Sequence, residues 1–157
     1  MNSKLMADEN MEDEFKLITY CGLYCGDCHG YQQKIPDLAR DLRKELRRSK
    51  YQKFADTMSG QSFGAAFKDY AACYEVLGAM VKFRCHKGCR AGGGPPFCKM
   101  RQCCQRKGID GCWQCADFET CVKLDFLRSV HDDGHLKNLR ILKKKGPVAF
   151  IQGKRYW

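Results

Sequence analysis

Stretches with a helical apolar period alternate along this chain with stretches that have none. Ile35-Pro36-Asp37 opens the first periodic stretch. Proline suits a first helical turn, and Asp37 complements the positive end of the helix dipole. Leu38, Leu42 and Leu46 then recur at fours. That spacing predicts a helix burying its leucine stripe and turning its arginines and lysines to water. The clearest repeat follows, where Phe63, Phe67, Tyr70, Tyr74, Leu77 and Val81 alternate four and three apart. This is the seam of a packed helical hairpin, with Gly60-Gln61-Ser62 as the preceding turn and Ser62 as N-cap. Cys73 falls within it and reads as a small buried core residue.

After Phe83 the pattern stops. Residues 84–117 hold six glycines, two prolines and seven cysteines. Such a segment reads as loop and short turn, too poor in hydrophobes to order itself. Helical spacing returns over Glu119–Val130, with Val122, Phe126 and Val130 at fours, and again from His135 to Lys145, with Leu136, Leu139 and Leu142 at threes. Asp132 and Asp133 before that helix and Lys143, Lys144 and Lys145 at its end suit the dipole, and Gly146-Pro147 stops it. The tail Val148-Ala149-Phe150-Ile151, then Tyr156-Trp157, is expected to dock back as strand or coil. The predicted fold is mainly α: a small cysteine-rich metal-binding domain with an inserted helical hairpin and irregular knuckle loops. Residues 1–14 read as a disordered acidic leader and 15–157 as one domain, with 29–84 a helical insertion between two cysteine groups.

Composition sharpens this picture. Hydrophobic residues make up 44% of the 157, but twelve of them are cysteine, and mean hydropathy is −0.54. A core this lean gains much from an added cross-link. A structural zinc site contributes roughly 10–16 kcal/mol of apparent binding energy that is coupled to folding. No apolar run approaches a membrane span, and Asp8, Glu9, Glu12, Asp13 and Glu14 oppose a secretory signal. The expected location is the cytoplasm, where thiols stay reduced and thiolate–metal bonds prevail over disulfides.

Net charge is +10. The basic residues are scattered: Arg40, Arg43, Lys44, Arg47 and Arg48; Lys82, Arg84, Lys87 and Arg90; Lys143, Lys144 and Lys145. Solvated helix faces and compensation of metal–thiolate charge account for most of them. A protein partner or an acidic polymer remains open, with no membrane partner. The nucleic-acid alternative rests on the basic helix Arg40–Lys53 with Tyr51 and Phe54 as stacking groups.

The cysteines carry the chemistry. Cys25-Gly26-Asp27-Cys28 and Cys112-Trp113-Gln114-Cys115 are CxxC knuckles, and Cys85-x3-Cys89 places two thiols one helical turn apart. Zinc takes four soft ligands in a tetrahedron, usually two from each of two knuckles. One grouping is Cys103, Cys112, Cys115 and Cys121; a second is Cys25, Cys28, Cys85 and Cys89, with Cys21 and Cys98 as substitutes or a third partial site. Cys104, adjacent to Cys103, reads as a spare thiol, and His86 could replace a cysteine ligand. Cys21-x3-Cys25-x2-Cys28 also has the spacing that holds a four-iron cluster in radical enzymes, which makes an iron–sulfur redox protein the rival reading. Those enzymes need a longer barrel than this chain supplies. Cys25-x2-Cys28-His29 matches a haem attachment motif by coincidence. His86, His131 and His135 form no legible triad, and Gly92-Gly93-Gly94-Pro95-Pro96 lacks the strand and helix that frame a phosphate loop.

Taken together, the motifs resemble a known group. Thr19-Tyr20-Cys21-Gly22-Leu23-Tyr24-Cys25-Gly26-Asp27-Cys28 resembles the signature of a cysteine-rich bacterial and archaeal family of unknown function, regarded as zinc-binding. Cys85-His86-Lys87-Gly88-Cys89-Arg90, Cys98-Lys99-Met100-Arg101-Gln102-Cys103 and Cys112-Trp113-Gln114-Cys115-Ala116-Asp117-Phe118 extend the likeness over residues 17–127. The resemblance implies Cys21, Cys25, Cys28, Cys85, Cys89, Cys98, Cys103, Cys112, Cys115 and Cys121 as ligands. It departs at His29 and Cys104, and implies no reaction. The expected function is a zinc-binding adaptor or regulatory module with two closed structural sites.

Overall fold

The structure, a computed structural model, describes residues 11–157. The first ten residues of the acidic leader lie outside the described residues, and residues 11–16 form a short helix, α1. The fold is mainly helical. Among the described residues no strand forms, only an isolated antiparallel bridge between Ile18 and Tyr24. No helix there is long and apolar enough to cross a membrane. The chain divides into two compact units: residues up to Cys28 together with His86–Trp157, and His29–Cys85.

The unit His29–Cys85 comprises α2 (His29–Gln32), α3 (Lys34–Arg48), α4 (Tyr51–Met58), a 3-10 segment (Ser62–Asp69) and α5 (Tyr70–Lys82). Helix α3 packs along α5, but not through the expected leucines. Leu38 is 61% exposed and Leu42 48%, whereas Pro36 and Ala39 are buried. The reason lies in the contact seam. Arg43 places its guanidinium 4.3 Å from the centre of the Tyr74 ring, into space that a side chain at Gly78 would fill. Small residues and a flat cation therefore occupy the interface, and the leucines flank it.

The predicted aromatic seam holds in part. Phe67, Tyr70, Tyr74, Leu77 and Val81 are half-buried, while Phe63 stays in solvent. Tyr51 and Phe54 of α4 pack against it, with Tyr51 5.8 Å from Tyr70 and Phe54 5.6 Å from Phe67 between ring centres. Cys73 is exposed, not buried as its spacing suggests; it projects beside the Tyr70–Tyr74 row. Arg84 pairs with Asp37. The Cys85 N–H donates to the Gly30 carbonyl at 3.0 Å, and Gln33 Nε2 donates to the Cys85 carbonyl at 3.3 Å. This unit thus enters and leaves at one place.

The other unit holds the larger core, in which Ile18, Tyr24, Leu124, Leu139, Leu142 and Phe150 are at most 5% exposed. It contains α6 (Lys99–Lys107), α7 (Arg128–His131) and α8 (Gly134–Gln152), with short 3-10 turns at the cysteine knuckles. Helix α6 corrects the expectation of loop throughout 84–117. Its residues, Lys-Met-Arg-Gln-Cys-Cys-Gln-Arg-Lys, are mostly good helix formers. Gly108, with φ +62°, closes it in the left-handed conformation that glycine adopts without strain.

Two further expectations change. Over 118–127 the backbone runs as 3-10 segments, Phe118–Thr120 and Val122–Leu127. At three residues per turn, Phe118, Cys121, Leu124 and Leu127 share a face. Phe118, Leu124 and Leu127 are accordingly buried, while Val122 (77%), Phe126 (60%) and Val130 (73%) point outward. The first part of the tail is helical: α8 breaks at Gly146 and resumes through Pro147 to Gln152, burying Phe150 completely, while residues 154–157 run as coil, with Tyr156 held by Asn138 and Trp157 against His131. Leu136, Leu139 and Leu142 are buried as their spacing predicts.

Candidate metal centre

The stretch following the bridge builds the first knuckle. Thr19 Oγ1 donates to the Leu23 carbonyl at 2.9 Å and lies 3.2 Å from Cys21 Sγ. Gly22 takes φ +86° against Leu139 and the His135 carbonyl, where a side chain would collide. Cys25–Asp27 then forms a 3-10 turn that the Cys28 N–H closes on the Cys25 carbonyl at 3.0 Å. Arg155 fixes this turn from the far end of the sequence. Its Nε and Nη2 donate to Asp27 at 2.8 and 3.1 Å, and its guanidinium lies 4.4 Å from the Tyr24 ring centre. The Tyr24 hydroxyl donates to Glu14. Burial, then that hydrogen bond and its charge, raise the Tyr24 pKa.

Five sulfurs line one cavity of about 250 Å³: those of Cys103, Cys104, Cys112, Cys115 and Cys121, with Lys107 at the rim. Cys103 and Cys104 come from α6, Cys112 and Cys115 from the second knuckle, and Cys121 from the turn that follows. Cys104 is 1% exposed, and its Sγ lies 3.7 Å from Cys112 Sγ. Lys107 Nζ donates to Cys115 Sγ at 3.3 Å, which raises the lysine pKa. The contact between the two thiols lowers the Cys104 pKa, and the same contact together with burial raises that of Cys112.

Cys89 meets the first knuckle. The Cys89 backbone N–H donates to Cys25 Sγ at 3.3 Å. Cys21, Cys89 and Cys98 lie within electrostatic reach of one another: burial, with smaller contributions from Cys89 and Cys98, pushes Cys21 up to about 11, and burial likewise raises Cys89. Cys98 is the N-cap residue of α6. Two arginines brace the surrounding loop. Arg90 donates to the Ile18 and Asp110 carbonyls, each at 2.8 Å. Arg101, 7% exposed, donates to the carbonyls of Cys89, Gly93, Pro95 and Pro96 at 3.2, 2.7, 2.8 and 3.3 Å.

Cys28 is half-buried at the end of its turn, and Cys85 belongs to the unit His29–Cys85. Cys104 reads as a spare thiol because one of two adjacent residues usually points away; on α6 the two diverge by only about 100°, and both line the cavity. The roles of Arg101 and Lys107 gave no signal beyond their basic type.

A family model described as a protein of unknown function (DUF3795) matches residues 17–126. The chain belongs to that family. The match takes in both knuckles, α6 and the cysteine-lined cavity. Among curated proteins and solved structures, no match was found.

Thiols suit a soft or borderline metal ion, and five of them line the cavity together with Lys107, Asp117, Thr120 and Lys123. Among the described residues no group of three or more His, Cys, Asp or Glu side chains is arranged to hold an ion. The Cys104–Cys112 separation nonetheless matches one edge of a tetrahedral zinc–thiolate site. Zinc–sulfur bonds of about 2.3 Å place two sulfurs roughly 3.8 Å apart.

Proposed function

We propose that this family member is a zinc-binding module whose ions are structural, and that it acts through its surface as an adaptor or regulatory protein. The observation that carries the reading is the five-sulfur cavity between α6 and the second knuckle. Cys104 and Cys112 lie one zinc–thiolate edge apart, and Cys103, Cys115 and Cys121 line the same cavity as further donors. Ligand closure of this kind couples metal binding to folding. The flanking segment needs such help, because residues 84–97 hold little apolar side chain and Phe97 itself is 84% exposed. Zinc would neutralise thiols and cross-link three pieces of chain. The protein's own residues position it: Lys107 holds Cys115 in place and offsets thiolate charge. The adaptor part is supported by apolar positions left in solvent on α3 and α5, namely Leu38, Leu42, Val76 and Met80.

Metal analysis and visible absorption on protein purified without air test this reading. Colourless protein carrying zinc, with one ion lost in the Cys112→Ser/Cys115→Ser double variant, is the expected result. Brown protein with iron and acid-labile sulfide would favour the cluster alternative and reject zinc.

A further inference from the structure

A tetrahedral ion takes four thiolates, whereas five sulfurs line the cavity beside α6, so one is surplus to any single ion. Of the five, Cys104 is the one outside the set that the family resemblance implies. It is 1% exposed, and its Sγ lies 3.7 Å from that of Cys112. The backbone holds the two residues opposite each other. After Cys104 the chain turns back: the Ile109 N–H donates to the Cys104 carbonyl at 3.1 Å, and Gly108 takes the left-handed conformation. The Cys112 N–H is then tied to the Tyr20 carbonyl at 2.8 Å. A disulfide needs about 2.05 Å between its sulfurs, so roughly 1.7 Å is left to close. Two alternatives are disfavoured. Sequence neighbours such as Cys103 and Cys104 have α-carbons about 3.8 Å apart, short of the roughly 4.4–6.8 Å that a disulfide spans. Cys115 Sγ is engaged at the rim by Lys107 Nζ at 3.3 Å.

We propose that Cys104 and Cys112 form a reversible redox pair, oxidised to a disulfide by a hydroperoxide and reduced again by a dithiol. With hydrogen peroxide, the first sulfur takes one oxygen as a sulfenic acid while the O–O bond breaks and hydroxide leaves. The second sulfur attacks the sulfenic sulfur; the S–S bond forms, the S–O bond breaks and a second hydroxide leaves. The two thiol protons complete two waters, and two electrons pass from sulfur to oxygen. A cavity of about 250 Å³ admits so small an oxidant, since a water molecule occupies roughly 30 Å³. Thiol–disulfide exchange reverses the step, the dithiol itself becoming the disulfide. Formation of the bridge does not depend on the zinc reading. It bears on that reading, because a bridged pair leaves Cys103, Cys115 and Cys121, too few thiolates to close a tetrahedron.

The test treats full-length protein with hydrogen peroxide, both as purified and after chelation. Remaining thiols are alkylated, and bridges are located by tandem mass spectrometry of unreduced peptides. In both samples the first bridge should join Cys104 to Cys112 and disappear with dithiothreitol. This readout uses the wild-type chain, so it stands even where a variant fails to fold. Cys103→Ser and Cys115→Ser should keep the bridge, and Cys104→Ser should lose it. A first bridge between Cys112 and Cys115, or sulfinic acid at Cys104 or Cys112 in place of a bridge, overturns the pair. A chromogenic chelator in the same reaction reads any zinc set free. The bridge together with zinc release supports both the pair and the cavity site. The bridge in protein purified without metal supports the pair and removes the zinc reading. Zinc retained with no bridge under excess peroxide overturns the pair and leaves the zinc reading standing.

Discussion

His135 is fully buried, and neither ring nitrogen finds a hydrogen-bond partner among the described residues. Burial, and secondarily the Arg128 and His131 charges, lower its pKa below the ordinary histidine value. The unfolded chain therefore binds a proton at a pH where the folded protein does not. Stability from this site is complete above about pH 6.5 and declines as pH falls below it. A His135→Leu protein lacks that loss, so the difference in Tm between wild type and variant should shift in favour of the variant between pH 7 and pH 5. A constant difference across that range would show that His135 titrates normally. Gly22 makes a separate demand at the same contact. Its φ of +86° and its closeness to Leu139 leave no room for a β-carbon. Left-handed geometry alone costs a non-glycine residue roughly 1–2 kcal/mol. Urea unfolding of Gly22→Ala should show at least that loss, and an unchanged midpoint would contradict the packing described.

At the level of elements, the 3-10 register of 118–127 decides which apolar side chains matter. Leu124 is 2% exposed and Val122 77%. Leu124→Ala should cost about 2–5 kcal/mol as a cavity in the core, whereas Val122→Ala should stay within roughly 0.5 kcal/mol. Reversal of that order in denaturant titrations would restore an α-helical register. This segment also marks where the sequence could be read and where it could not. The leucines of α8 sit at threes on a helix packed along one side, so periodicity named them correctly. In 118–127 the repeat of threes from Phe118 to Leu127 was present but competed with the fours of Val122, Phe126 and Val130, and only tertiary packing chose between them. Helix α3 failed for a different reason. Its contact face relies on Arg43, a residue type that hydropathy assigns to solvent. Helix α6 was hidden because its buried residues are Met100, Arg101 and Cys104, which carry no aliphatic signature. For the candidate site, knuckle spacing identified the sulfurs, but their neighbours depend on the path of α6, and Cys104 was lost with it.

Across the whole molecule, the two units draw their cohesion from different sources. His29–Cys85 packs aromatic rings between helices, as Tyr51, Phe54, Phe67 and Tyr70 show. The remainder surrounds its sulfurs with a conventional core. If metal supports only the second, chelation should accelerate hydrogen exchange across α6 and the Cys85–Cys98 loop while the amides of α3 and α5 keep their protection. Uniform loss of protection would mean that the ions stabilise the chain as one cooperative block. The basic surface argues less for nucleic acid than the charge total suggests. Arg40 pairs with Asp37 and Asp41, Arg48 with Glu45, and Arg140 with Glu119, and Tyr51 is engaged with other rings. The hydrogen bonds joining Gly30 and Gln33 to Cys85 have a wider implication. A segment whose two ends are already held together behaves as a cassette: its length can change at an entropic cost that grows only logarithmically. Evolution, or an engineer, could therefore exchange everything between those ends for another helical insert, or for a short linker, and leave the order of the cysteines along the rest of the chain untouched.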